Sequence, residues 1–143
     1  MTSAAGKQIL FVVGISYIIF GGLGFLGAFL GMGSVTTWDI ISPMASGMSW
    51  AHFNAILLIA GLFHIFTGIT GVINRARLEK ASMLRILGGT DIALAIFIVM
   101  LNMAVSAYAP RNLASIFILI IRFVLPVLYI IGAQKNLAAN ASQ

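Results

Sequence analysis

Three ionisable side chains stand inside long apolar runs: His64, Asp91 and Arg122. A charged group in such a setting is costly, so each is a functional candidate by default. Their chemistry is complementary. A guanidinium holds anions, a carboxylate exchanges protons, and an imidazole is the side chain whose charge changes near neutral pH. Helix rise places them at similar depths. Asn74 follows His64 by ten residues, about 15 Å of helix. Asp91 lies roughly 9–12 Å into its run and Arg122 about 17 Å from the end of its own. Tyr17 reaches the same level on the first run. These four residues define an expected polar layer.

Asp91 and Arg122 are the expected pair, because an unpaired charge in lipid costs several kcal/mol. Paired in a dry bundle, they serve as a structural bridge between the third and fourth helices. Facing a water-accessible cavity, the same residues make a binding or proton-relay site, with Arg122 on an anion and His64 or Asp91 exchanging protons. A third option is Arg122 snorkelling alone. A lone His64 also fits a hydrogen-bonded packing role.

Composition dictates the elements that position this layer. The chain has 143 residues, 61% hydrophobic and 8% charged, whereas soluble domains carry about 25% charged residues. Four stretches reach the roughly 20 apolar residues a membrane span needs: 9–31, 50–73, 83–108 and 113–133. The expected fold is therefore all-α, a single four-helix transmembrane bundle over residues 1–143. The first stretch exceeds the roughly 7–15 residues of a signal h-region and is expected to be a retained helix.

Lys7, Arg75, Arg77, Lys80, Arg85 and Lys135 fall on one side of these spans, and Arg111 alone on the other. The positive-inside rule then places both termini in the cytoplasm and the chain in the plasma membrane. The net charge of +5 is explained by this asymmetry, and no nucleic-acid partner is expected. Trp38, Trp50 and Tyr108 fall near the outer interface, where amphipathic rings sit. Thr36 to Ser42, within the outer loop 32–49, has the makings of a short interfacial helix. The tail after Lys135 is Ala, Asn, Ser and Gln, and fraying is expected there.

Small residues permit close helix packing in lipid. Gly21, Gly24, Ala28 and Gly31 recur at helical spacing, with Gly14 one heptad before Gly21, and Gly27/Gly31 forms a second pair. Gly61, Gly68 and Gly71 share a face of the second helix with His64. Gly22 and Gly27 leave the main stripe of the first helix, which favours contacts on two sides. On the fourth helix Ser115, Arg122 and Tyr129 repeat by heptads, with Pro126 one turn after Arg122, where it frees a carbonyl and favours a bend. Asn54 and Asn102 form an outer polar level.

Other chemistry is sparse. Met44, Met48 and His52 are spaced by four, a weak soft-metal candidate that apolar filling by Met equally explains. With no cysteine there is no thiolate site, and His52 and His64 are about 18 Å apart along one helix, too far to ligate one haem. No cofactor is expected. The three carboxylates, Asp39, Glu79 and Asp91, come from different levels, and phosphate-loop, zinc and serine-elbow motifs are absent. The chain is expected not to be an enzyme.

The first functional expectation is a non-catalytic membrane protein acting by helix–helix assembly, with itself or with another membrane protein. The alternative is an oligomeric channel or proton-coupled transporter using Tyr17, His64, Asp91 and Arg122. A second alternative is a lipid-headgroup or anion binder, or a membrane enzyme, with Arg122 as the clamp.

Overall fold

The computed structural model describes the backbone over residues 5–34, 50–106 and 113–141. It is all-helical among these residues. The elements are α1 (Lys7–Ser34), α2 (Trp50–Asn74), a 3₁₀ turn (Leu78–Lys80), α3 (Ala81–Ser106) and α4 (Leu113–Ala141). Each helix contains a stretch long and apolar enough to cross a membrane. Such long helices without a polar face keep every backbone bond internal, as an apolar solvent requires.

The fourth helix differs from expectation at its end. Residues 134–141 continue as helix instead of fraying. The reason is a buried side chain, Asn136, which is 0% exposed. Its Oδ1 accepts a hydrogen bond from the Gly6 backbone N–H at 2.7 Å. Its Nδ2 donates to the Arg75 carbonyl at 2.9 Å. One amide therefore ties the start of α1, the α2–α3 link and the end of α4 together. Arg75 adds a second tie there, with its guanidinium 4.7 Å from the Phe11 ring centroid and bonded to the Val72 carbonyl at 2.9 Å. The link itself is short, closed by Arg77 N–H on the Asn74 carbonyl and Lys80 N–H on that of Arg77.

Helices α1 and α2 pack closely through reciprocal glycines a heptad apart. A Cβ at Gly21 would stand 2.8 Å from the Gly61 carbonyl oxygen, and one at Gly61 would stand 2.7 Å from the Phe25 nitrogen. Gly14 and Gly68 oppose each other the same way one heptad nearer the termini. These approaches are to backbone, so no side-chain adjustment relieves them. Ala28 is buried, and Gly31 abuts the Asn54 side chain. Gly24, expected on the main stripe, instead meets nothing within 4 Å among the described residues, and the same holds for Gly22 and Gly27, which leave that stripe. Of the α1 glycines, Gly14 and Gly21 make the closest backbone approaches to α2.

The buried core gathers Leu10, Val13, Tyr17, Leu84, Tyr129 and Ala133. It joins α1, α3 and α4 at the end of the bundle that carries the described termini. Gly71 and Gly88 make room for Tyr129, whose ring would meet any Cβ placed at either. Large apolar side chains are exposed on every helix, including Phe11, Leu23 and Phe29 on α1, Ile59 and Phe66 on α2, Met100 on α3 and Phe117 on α4.

Candidate functional site

Asp91 is the centre of the polar layer. It projects from α3 on the line of Leu84 and Ile98, each one heptad away, and is 1% exposed. Tyr17 of α1 donates a hydrogen bond from its hydroxyl to Asp91 Oδ2. His64 of α2 places Nε2 2.9 Å from Oδ1. That oxygen nonetheless has no aligned donor, so the His64 contact is one of charge and proximity rather than a directed N–H bond. The carboxylate thus draws three helices together.

Rings enclose this group. Tyr17 stacks on His64 with centroids 5.6 Å apart, and Tyr129 of α4 meets Tyr17 edge-on at the same separation. Tyr129 donates its hydroxyl to the Thr67 carbonyl at 3.0 Å. The Thr67 hydroxyl is fully buried and has no hydrogen-bond partner among the described residues.

The expected Asp91–Arg122 pair is not formed. Among the described residues, the ion pair made by Asp91 is with His64. Arg122 stays outside ion-pair distance of Asp91. The physical reason is competition. Tyr17 and His64 reach the carboxylate from the closely packed α1–α2 pair, and Arg122 is turned to a cleft. The other members of the layer are brought together as expected.

The cleft has a volume of about 370 Å³ and lies between α1, α2 and α4. Its polar groups are Tyr17, His64 and Arg122; the remaining lining is apolar or glycine. On α1 the lining residues run from Tyr17 to Gly24, on α2 from Leu57 to His64, and on α4 from Ile118 to Leu125. The polar end is therefore at mid-helix depth, and the apolar end points away from the described termini. Ala60 and Gly61 of α2 are buried and form the floor. Phe20, Leu23 and Ile118 are 40%, 63% and 57% exposed and form the rim. Helices α1 and α4 touch near the termini, where Gly132 faces Leu10, and part beyond Tyr17.

Pro126 is buried within an otherwise continuous α4. Its ring removes the N–H that would bond the Arg122 carbonyl, so the backbone is altered directly beside the cleft.

Three expected features lie wholly or partly outside the described residues. Met44 and Met48 of the soft-metal candidate do, as does the segment 36–42. The Asn102 side chain does as well, so the outer polar level is seen only as Asn54 against Gly31. Sequence reasoning missed Asn136 and Thr67. Asn136 had a signal: it is the next heptad member after Ser115, Arg122 and Tyr129.

No family model matches the chain, and comparison with curated proteins and with solved structures gives no significant match.

Proposed function

We propose that the chain is a non-enzymatic, four-span protein of the plasma membrane, with both termini cytoplasmic, that carries an anionic solute together with a proton. The apolar outer surface and the Lys/Arg asymmetry support the membrane placement. One observation carries the transport reading: Arg122 lines a cleft with no ion-pair partner among the described residues, while Asp91 is occupied by Tyr17 and His64. A dry Asp91–Arg122 bridge would have favoured a purely structural layer. Its absence moves the balance from assembly to binding.

The coupling follows from charge. Asp91 is buried and meets the cleft through Tyr17 and His64, which both line it, the His64 side chain being 17% exposed. A proton passed by His64 to Asp91 removes the negative charge that opposes an anion at Arg122. Anion and proton therefore favour each other's binding, and by linkage the coupling is reciprocal. In a water-poor site such interactions are strong.

The test is proton uptake into proteoliposomes driven by gradients of monocarboxylates that range in chain length from acetate to decanoate. Wild type takes up protons with the anion. Arg122→Gln removes the flux, and Asp91→Asn removes its proton component. No flux from folded wild-type protein would refute the proposal.

Self-association is the second reading, favoured by the uncovered Gly22, Gly24 and Gly27 of α1. Close helix approach through such residues is common in membranes. Cross-linking in native membranes tests it, with a dimer or larger species expected and a strictly monomeric chain contradicting it.

A further inference from the structure

We infer that the cleft takes a single-chain carboxylate amphiphile, its head on Arg122 and its apolar body between α1 and α4, entering sideways from the bilayer. This rests on the reading of the cleft as a binding site and names the ligand class.

Charge limits the head. The cleft offers one guanidinium and no second cation. A monoanion balances it, whereas a phosphate monoester dianion would be left with excess charge in an apolar setting. A carboxylate also matches the guanidinium fork, with two parallel N–H···O bonds. His64 and Tyr17 border the same end, and the acid's own proton has a path through them to Asp91.

Size and lining limit the body. About 370 Å³ lies near the lower end of the roughly 300–1,000 Å³ typical of small-molecule sites. It has room for one short chain but not for a two-chain phospholipid. Phe20, Leu23, Leu57 and Ile118 supply the apolar wall, which a small hydrophilic anion would leave uncovered. The opening is set by the same residues. Its rim of exposed Phe20, Leu23 and Ile118 lies on the outer apolar surface, and α2 closes the back. A ligand already dissolved in the bilayer reaches Arg122 without crossing water.

Gly24 allows a specific block. It lines the cleft, and a Cβ there meets nothing within 4 Å. Gly24→Phe therefore places a ring in the cleft from a position whose Cβ is free of contact among the described residues.

The experiment is equilibrium binding of labelled decanoate to the whole chain in nanodiscs of zwitterionic lipid, with empty discs as background. Saturable binding of one decanoate per chain is expected. Arg122→Gln should weaken it about tenfold or more, as loss of a charged hydrogen bond implies. Gly24→Phe should abolish it, with helix content and melting unchanged in both variants. Unlabelled decanoate should compete; decanol, acetate and phosphatidylglycerol should not at equal concentration. Binding indifferent to both substitutions overturns the inference, as does equal competition by acetate, which would mean a simple anion site. Equal competition by phosphatidylglycerol also overturns it and marks a lipid-headgroup site. No gradient is involved, so the outcome is separable from transport. Decanoate binding without proton flux refutes the carrier and keeps the ligand class. Acetate-linked flux without decanoate binding does the reverse.

Discussion

The ring of Tyr17 lies on the ring of His64, their planes 26° apart, and both side chains reach the Asp91 carboxylate. Stacking sets the two polar ends side by side, so each takes one carboxylate oxygen. The close glycine contact of α1 with α2 makes the stack possible, because Gly21 and Gly61 bring the two backbones together one turn beyond it. Arg122 is thereby left to the cleft. The functional account depends on this division of partners.

A double-mutant cycle should show strong coupling between Tyr17 and Asp91. Tyr17→Phe removes the donor and Asp91→Asn weakens the acceptor. Residues sharing a buried hydrogen bond couple by about 0.5–3 kcal/mol. Unfolding of the four proteins in mixed micelles measures it. Additive effects would mean that the hydroxyl and carboxylate act independently.

Gly21→Ala and Gly22→Ala should differ sharply. The new methyl at residue 21 meets the Gly61 carbonyl, whereas the one at residue 22 meets nothing. Overpacking costs about 1–3 kcal/mol, so Gly21→Ala should melt well below wild type. Gly22→Ala should match or exceed wild type, since alanine is the better helix former. Equal melting temperatures would contradict the α1–α2 contact.

The four helices were legible because a 20-residue apolar run in a chain with eleven charges has one economical reading. The members of the polar layer were legible because intramembrane charges are rare. Their pairing was not. Depth comes from counting residues, but partner choice depends on helix rotation and on which helices pack closest, and Tyr17 competed successfully with Arg122 for Asp91. Gly21 makes the close contact with α2 while Gly24, on the same sequence stripe, does not, and residue type alone does not separate the two. Asn136 was hidden by composition. Its Ala- and Asn-rich surroundings resemble a loose tail, and only the heptad continuing from Tyr129 points inward.

Asn136→Ala should loosen the end of the bundle that holds the described termini. It removes the acceptor for Gly6 and the donor to Arg75, each bond worth about 0.5–1.5 kcal/mol net. Hydrogen exchange at the Gly6 amide should accelerate and the melting temperature should fall. Unchanged exchange would show that the amide does not hold α1 to α4.

The chain's lack of cysteine makes the proposed orientation directly measurable. Single Ser3→Cys, Ser42→Cys and Ser82→Cys variants can be treated with a membrane-impermeant maleimide on intact cells. Ser42→Cys should label at once, and the other two only after permeabilisation, as the Lys/Arg asymmetry implies. The opposite pattern would invert the topology.

The stability of Arg122→Leu tests the central claim most directly. If Arg122 is a guanidinium held over a cleft without a partner, its removal relieves the cost of an unpaired charge. The variant should then melt at or above the wild-type temperature while losing anion binding, a trade of stability for function. If Arg122 instead neutralises Asp91, the substitution strands a buried carboxylate and should cost about 3–5 kcal/mol. A loss of that size would return Arg122 to a structural bridge and remove the anion site from the cleft.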